Sequence, residues 1–204
     1  TPDGRAMFSV RAPQAKEVLV DICGKKCAMT RGFRGEWTVT TDPLVVGFHY
    51  YFLNIDGVAV ADPMSDSFYG CGVMTSGIEI PESSADAAYY TYDKNIPHGQ
   101  VRECHYWSEK EQAMRRCFVY TPASYLQSTR RFPVLYLQHG MAENETGWST
   151  QGRMQYIMDN LISQGKAKEM IVVMDNGNCD YGFGAKKGES SNDFGASFQQ
   201  VLLK

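Results

Sequence analysis

The chain has 204 residues, 43% hydrophobic and 21% charged, with 19 glycines and a formal net charge of -3. That length suffices for two modest domains or one large one, and its scattered Lys and Arg give no electrostatic footprint for nucleic acid or an anionic membrane. The apolar runs are strand-sized, too short to cross a bilayer as a helix, and Thr1-Pro-Asp-Gly4 does not read as a signal peptide.

Residues 1–80 are punctuated by turns and rich in short β-type runs. Met7-Phe-Ser-Val10, Val18-Leu-Val-Asp-Ile22 and Trp37-Thr-Val-Thr40 each carry strand character. Phe48 to Ile55 runs into Asp56-Gly57, a hairpin dipeptide, and Val58-Ala-Val60 returns. Several short strands at close spacing predict an all-β sandwich, with no helix of more than two turns before residue 80.

Residues 81–96 break the composition, with Glu82-Ser-Ser-Ala-Asp-Ala-Ala88 and then Tyr89-Tyr-Thr-Tyr92, and read as a linker. From residue 97 the periodicity changes. Val101–Trp107 and Arg115–Thr121 predict a hairpin, and Val134–Gln138 an apolar strand. Met154, Ile157, Met158, Leu161 and Ile162 fall on one helical face, with Gly165 suited to the C-terminal cap. Met170–Met174 is a second apolar strand, so strand, helix and strand predict a right-handed βαβ unit and a parallel sheet. Phe194, Phe198, Val201 and Leu202 predict another amphipathic helix, capped at Asn192 or Asp193. Two parallel strands and an edge hairpin make an unfinished sheet. A further strand is expected beside Met170–Met174, supplied by residues beyond Lys204 on the same or a second chain.

The six cysteines, at 23, 27, 71, 104, 117 and 179, form no Cys-x-x-Cys, and no His stands at ligand spacing, so no zinc site is expected. Cys104 and Cys117 are symmetric about the polar turn Ser108–Ala113 and are expected to face each other across the hairpin. Two small thiols are favoured there over a disulfide.

The ordered series Tyr136-Leu-Gln-His-Gly140, Glu145-Thr-Gly-Trp148, Gly152-Arg153, Asp159-Asn-Leu-Ile162, Gly165-Lys-Ala-Lys168 and Ile171-Val-Val-Met-Asp-Asn-Gly177 resembles carbohydrate esterase family one. These are feruloyl esterases and esterase D-like α/β-hydrolases, to which the mycolyl transferases are related. The first half resembles the immunoglobulin-like modules of carbohydrate-binding family forty-eight, through Gly35-Glu-Trp37, Gly47-Phe-His-Tyr-Tyr-Phe52 with Asp56-Gly57, and Asp62-Pro63. Together they imply two domains, an immunoglobulin-like sandwich at 1–80 and, at 97–204, the N-terminal part of a three-layer α/β/α hydrolase with a mostly parallel sheet.

The resemblance implies a serine carboxylesterase of plant cell-wall polysaccharides, with feruloylated arabinoxylan the leading substrate. It would act through a Ser-His-Asp acyl-enzyme without metal or cofactor, in a secreted or periplasmic bacterial protein. No Gly-x-Ser-x-Gly elbow occurs in the sequence, so the triad is expected outside these 204 residues, and the chain alone is expected to be inactive. One oxyanion donor is implied to be the backbone N–H of Met141, after His139-Gly140. In the family the triad His follows Ser and Asp, so His139 reads as structural. His49, His98 and His105 lie in or beside β segments and read as surface or core residues.

Trp148 and Asp175 fall in loops after parallel strands, where open α/β sheets bind ligands. Trp148 either flanks an aromatic acyl group or packs its loop on the sheet; Asp175 touches substrate or, more in keeping with Asp175-Asn-Gly177, makes the turn. In the first domain Tyr50, Tyr51 and Tyr69 are candidates to stack on sugar. Alternation puts Tyr50 and Tyr51 on opposite faces, so at most one of them is core. Trp37 reads as a core residue. The rival reading is a non-catalytic carbohydrate-binding protein with a vestigial hydrolase segment.

Overall fold

A computed structural model describes residues 1–109 and 111–177. The chain divides into two compact units, the first ending at Ala88 and the second beginning at Tyr89.

The first unit is built from nine strands: β1 (Met7–Arg11), β2 (Val18–Ile22), β3 (Lys25–Ala28), β4 (Thr30–Arg31), β5 (Glu36–Thr40), β6 (Gly47–Ile55), β7 (Val58–Val60), β8 (Ser67–Gly70) and β9 (Val73–Ile80). They form two antiparallel sheets, β1-β5-β4 and β3-β2-β6-β9-β8, with β7 paired to β6. Both sheets supply one core. Phe8, Val10 and Trp37 come from the first, and Val18, Val20, Ile22, Tyr51, Leu53 and Ile80 from the second. The period-2 pattern is the cause: β2 buries alternate residues Val18, Val20 and Ile22.

Three two-residue hairpins repeat one device. Cys23-Gly24, Asp56-Gly57 and Cys71-Gly72 all hold positive φ at both positions, as a turn matching the right-handed strand twist requires. Only Asp56-Gly57 announces itself, because Asp tolerates the left-handed region and cysteine rarely enters it. The hairpins β2–β3 and β8–β9 therefore go unread in the sequence. No helix of more than two turns occurs before residue 80, and Trp37 is buried, its indole N–H donating to Ala12 O at 3.0 Å.

The second unit contains β10 (Gln100–Ser108), β11 (Ala113–Thr121), β12 (Val134–Tyr136), α1 (Met154–Ser163) and β13 (Ile171–Asp175). β10 and β11 form the expected hairpin, in a register that sets Cys104 opposite Cys117, and both are free thiols. The predicted helix is α1, closed by Gly165 at φ 67° with its N–H on Ile162 O and the Lys166 N–H on Leu161 O, the paired bonds of a left-handed cap. Met154 and Met158 pack with Tyr120, Val172 and Met174 as this unit's core.

Two expectations are corrected. The sheet order is β10-β11-β13-β12, so β13 is hydrogen-bonded on both sides, antiparallel to β11 and parallel to β12. No strand can be added beside β13. Among the described residues the sheet's edges are β10 and β12; β12 is the edge on the parallel side, and its Val134, Leu135 and Tyr136 are 40–47% exposed. The sheet is also mixed rather than mostly parallel: among the described residues β12–β13 is its one parallel pairing. The predicted helix around Phe194 to Leu202 lies outside the described residues, as does Cys179.

Candidate active site

The C-terminal ends of β12 and β13 converge on one rim. β12 leads into Gln138-His139-Gly140, and β13 ends at Asp175 ahead of Asn176-Gly177. His139 is buried and clasps the two ends together: its Nε2 accepts the Gly177 N–H at 3.0 Å, while Nδ1 faces Gly140 O at 2.7 Å. This pattern requires the proton on Nδ1 and leaves neither nitrogen for a substrate. His139 is thus structural, as its chain position predicts. The neighbouring Gln138 side chain approaches so closely that a Cβ on Gly177 would collide with its amide. Both amide atoms of Gln138 are buried without a hydrogen-bond partner.

The loop leaving this rim is held by its own turns. The Glu143 N–H donates to Gly140 O, Asn144 Oδ1 accepts from Thr146, and the Gly152 N–H donates to Gly147 O. Ala142 adopts φ 63°. Met141 is exposed, and its backbone N–H meets no acceptor among the described residues. Trp148 donates its indole N–H to Gln138 O at 2.8 Å, which straps the loop to the end of β12, yet 38% of the residue stays exposed. Of the two readings open for Trp148, packing of the loop is thus realised directly, with a ring surface left over.

Asp175 is 3% exposed. One of its oxygens accepts from the Tyr106 hydroxyl at 2.6 Å, and the other from the Asn176 N–H at 2.9 Å. Its carboxylate therefore builds the rim through these two bonds, as a turn residue would. Burial pushes its pKa up, against the opposing pull of the Tyr106 and Asn176 bonds and of the Arg115 charge. The Tyr106 hydroxyl is raised as well, by burial and then by the Asp175 carboxylate.

Beside Asp175 lies a set of charges that sequence reasoning missed. Arg115 bonds Glu111 and Asn176 O, and Arg116 bonds Glu145 through Nε and Nη2 at 2.8 and 2.7 Å. The available signal was the pair Arg115-Arg116 inside an otherwise apolar strand, which demands partners when it folds against a sheet. Also missed was an Asp-His pair 61 residues apart. His98 Nδ1 lies 2.9 Å from Asp159 Oδ2, while the Tyr120 hydroxyl and the Gly99 N–H bond Oδ1. It sits by the N-terminal end of β13, on the rim away from Met141, and His98 Nε2 is taken by Asp93 O. The pair braces α1 against the β10–β11 hairpin and has no nitrogen free to act as a base.

The tyrosines of the first unit are not brought together. Tyr51 is a core residue, 5% exposed, packed on Phe8 and bonded to Asp62 at 2.9 Å. Burial, then the Asp62 bond, pushes its hydroxyl up to about 12. Its ring cannot stack on sugar, because the alternation that puts the half-buried Tyr50 on the other face turns Tyr51 inward. Tyr50 lies on the opposite face in an edge-to-face cluster with Phe48, which meets Phe68 in turn. Tyr69 bonds Gly72 O within its own hairpin.

Residues 108–200, just under half of the chain, match the family model described as "Putative esterase". The chain is 43% identical over 211 residues to an endo-1,4-beta-xylanase/feruloyl esterase of Xylanibacter ruminicola, a match covering 98% of this chain and 28% of that protein. Among solved structures it resembles the enterobactin esterase FES of Shigella flexneri, with TM-score 0.63, 18% identity, and coverage of 98% of this chain and 58% of the other. The ferric enterobactin esterase of Salmonella typhimurium gives 0.57 and 18%, covering 100% of this chain and 61% of the other. At such identity these two speak for the fold alone. The chain spans less than two thirds of each of these proteins, and 28% of the xylanase/feruloyl esterase. The family model and the xylanase/feruloyl esterase support an esterase-like hydrolase.

Proposed function

We propose that this chain is the N-terminal part of a serine carboxylesterase, and that the intact protein hydrolyses esters on plant cell-wall polysaccharide, feruloylated arabinoxylan being the leading substrate. The observation that carries the reading is the Met141 N–H, which has no acceptor among the described residues, on a loop that His139 and Trp148 fix to the ends of two parallel strands. Such a donor is prepaid: it needs no reorganisation when negative charge develops on the carbonyl oxygen of a tetrahedral intermediate. The exposed part of Trp148 stands on the same loop and is the candidate wall for an aromatic acyl group.

The nucleophile, Asp and His of this proposal belong to the intact protein beyond the present residues. The strand carrying the nucleophile would pair with the open edge of β12, where apolar residues and unpaired backbone groups call for a neighbour. The first unit would serve as an immunoglobulin-like carbohydrate-binding module, with Tyr50 a better placed stacking residue than Tyr51. A secreted or periplasmic location follows from that substrate, and nothing in the mechanism calls for a metal or cofactor.

Methyl ferulate hydrolysis tests the proposal. A protein extended past Lys204 should turn the ester over and lose activity to a serine-directed phosphonate, whereas the 204-residue chain should show no turnover. An extended protein that binds xylan without hydrolysing any ester would instead establish the non-catalytic carbohydrate-binding reading.

A further inference from the structure

We propose that Tyr89 and Tyr92, at the start of the second unit, form a stacking platform for a neutral polysaccharide chain, apart from the rim that carries Met141. The inference rests on the esterase reading for the class of ligand. It adds a place, away from the reacting ester, where the same polymer is held.

The platform is fixed to α1 at two points. Asn160, 4% exposed, donates its side-chain amide to Tyr89 O at 3.0 Å and to Thr91 O at 2.9 Å. The His98 ring is held between Asp159 Oδ2 at 2.9 Å and Asp93 O at 3.0 Å. Two adjacent buried side chains of one helix thus hold a stretch of surface chain in place.

The rings on that stretch are ordered and yet wet. Tyr92 stacks on the His98 imidazole, with centroids 4.3 Å apart and planes 13° from parallel, and it meets Tyr156 of α1 edge to face at 5.7 Å. Tyr89 meets Tyr90 edge to face at 4.9 Å, and the Arg153 guanidinium lies 5.3 Å from the Tyr90 centroid. Arg153 and Tyr156 stand about one turn apart at the start of α1, so the tyrosines that touch them lie side by side. Even so, Tyr92 is 56% and Tyr89 48% exposed. His98 backs one face of Tyr92, and ring surface is left in water.

An exposed ring held in this way loses little freedom when a ligand covers it, so most of the gain from burying its face survives as affinity. The charged side chains beside the rings, Asp93, Lys94 and Arg153, are of mixed sign and select neither an anion nor a cation. A neutral polymer with apolar C–H faces fits such a patch, and a chain of linked xylose rings is of that kind. The location suits the role. The platform leads into β10, whereas further strands of the hydrolase would join at β12, the opposite edge of the sheet. A chain held here leaves the Met141 rim open.

The test is titration of the chain, labelled with 13C at its tyrosine rings, with xylohexaose. Saturable shifts of the Tyr92 and Tyr89 ring signals are expected. Affinity should fall about three- to tenfold in Tyr92→Ala and be retained in Tyr92→Phe, which keeps the ring. Absence of saturable shifts up to about 10 mM sugar, shifts confined to the tyrosines of the first unit, equal affinity in Tyr92→Ala, or tighter binding of ferulic acid than of xylohexaose would each overturn the platform. Methyl ferulate, which has no sugar, separates the two readings. Its hydrolysis by the extended protein without sugar binding here removes the platform alone, and sugar binding here without hydrolysis of any ester removes the esterase alone.

Discussion

Replacing Asp159 by alanine should destabilise the second unit far more than an ordinary helix substitution. The Asp159 side chain is 4% exposed and receives the Tyr120 hydroxyl at 2.7 Å, the Gly99 N–H at 2.9 Å and the His98 ring at 2.9 Å. Tyr120 is fully buried, so its hydroxyl would be stranded at about 1–3 kcal/mol, and the part-buried Gly99 amide would lose its acceptor at the lower end of that range. His98 is a quarter exposed, so water can replace its partner and it adds little. The expected loss is about 3–5 kcal/mol, in the range reserved for broken buried networks. Asp159→Asn keeps an acceptor for Tyr120 and Gly99 and can donate its amide to His98 Nδ1, so it should cost only about 1–2 kcal/mol. Urea unfolding resolved into the transitions of the two units is the assay. Adding Tyr120→Phe to Asp159→Ala removes the stranded hydroxyl and should restore about 1–2 kcal/mol. A loss below about 1 kcal/mol for Asp159→Ala, or no recovery in the double variant, would refute the account of this network.

Burial raises the pKa of Asp175, so the folded state holds a proton more tightly than the unfolded one, and stability attributable to this group falls as pH rises through the carboxylate range. Asp175→Asn should therefore gain stability relative to the parent chain as pH increases across that window and then level off; a flat or falling difference in unfolding midpoint rules this out. Burial, then the neighbouring Asp175, pushes the Cys117 thiol up to about 11 from 9.0, so its thiolate fraction at pH 8 is about a hundredfold below that of an unshifted thiol. Iodoacetamide should label the exposed Cys23 and Cys71 long before Cys117, and peptide mass mapping would expose any reversal. Trp148→Phe removes the indole bond to Gln138 O and should loosen the loop by about 0.5–1.5 kcal/mol, seen as faster amide hydrogen exchange at the bonded amides of Glu143 and Gly147. Unchanged exchange would return the loop's order to its internal turns.

Local signals carried far along this chain. The alternation in β2 and β6, the Asp56-Gly57 turn and the 3.6-residue period of α1 each depend on residues within a few positions of one another, so they are legible without knowing what packs where. The facing of Cys104 and Cys117 was readable for the same reason, since a hairpin register is counted outward from its turn. Even the structural part of His139 was legible, because its place ahead of any elbow excluded the catalytic one.

What only the tertiary structure decided is who pairs with whom. β12 and β13 are similar apolar runs, and nothing local says which is central; the answer came from β11, which occupies the side of β13 that the sequence left open. Cys-Gly turns gave no warning of two hairpins, because the left-handed conformation is imposed on cysteine by strand pairing rather than preferred by it. The bonds that shape the rim, from Arg116 to Glu145 and from Tyr106 to Asp175, join residues 29 and 69 apart. A buried charge announces in sequence only that it needs a partner; which partner it finds depends on chain closure over distances that periodicity does not encode.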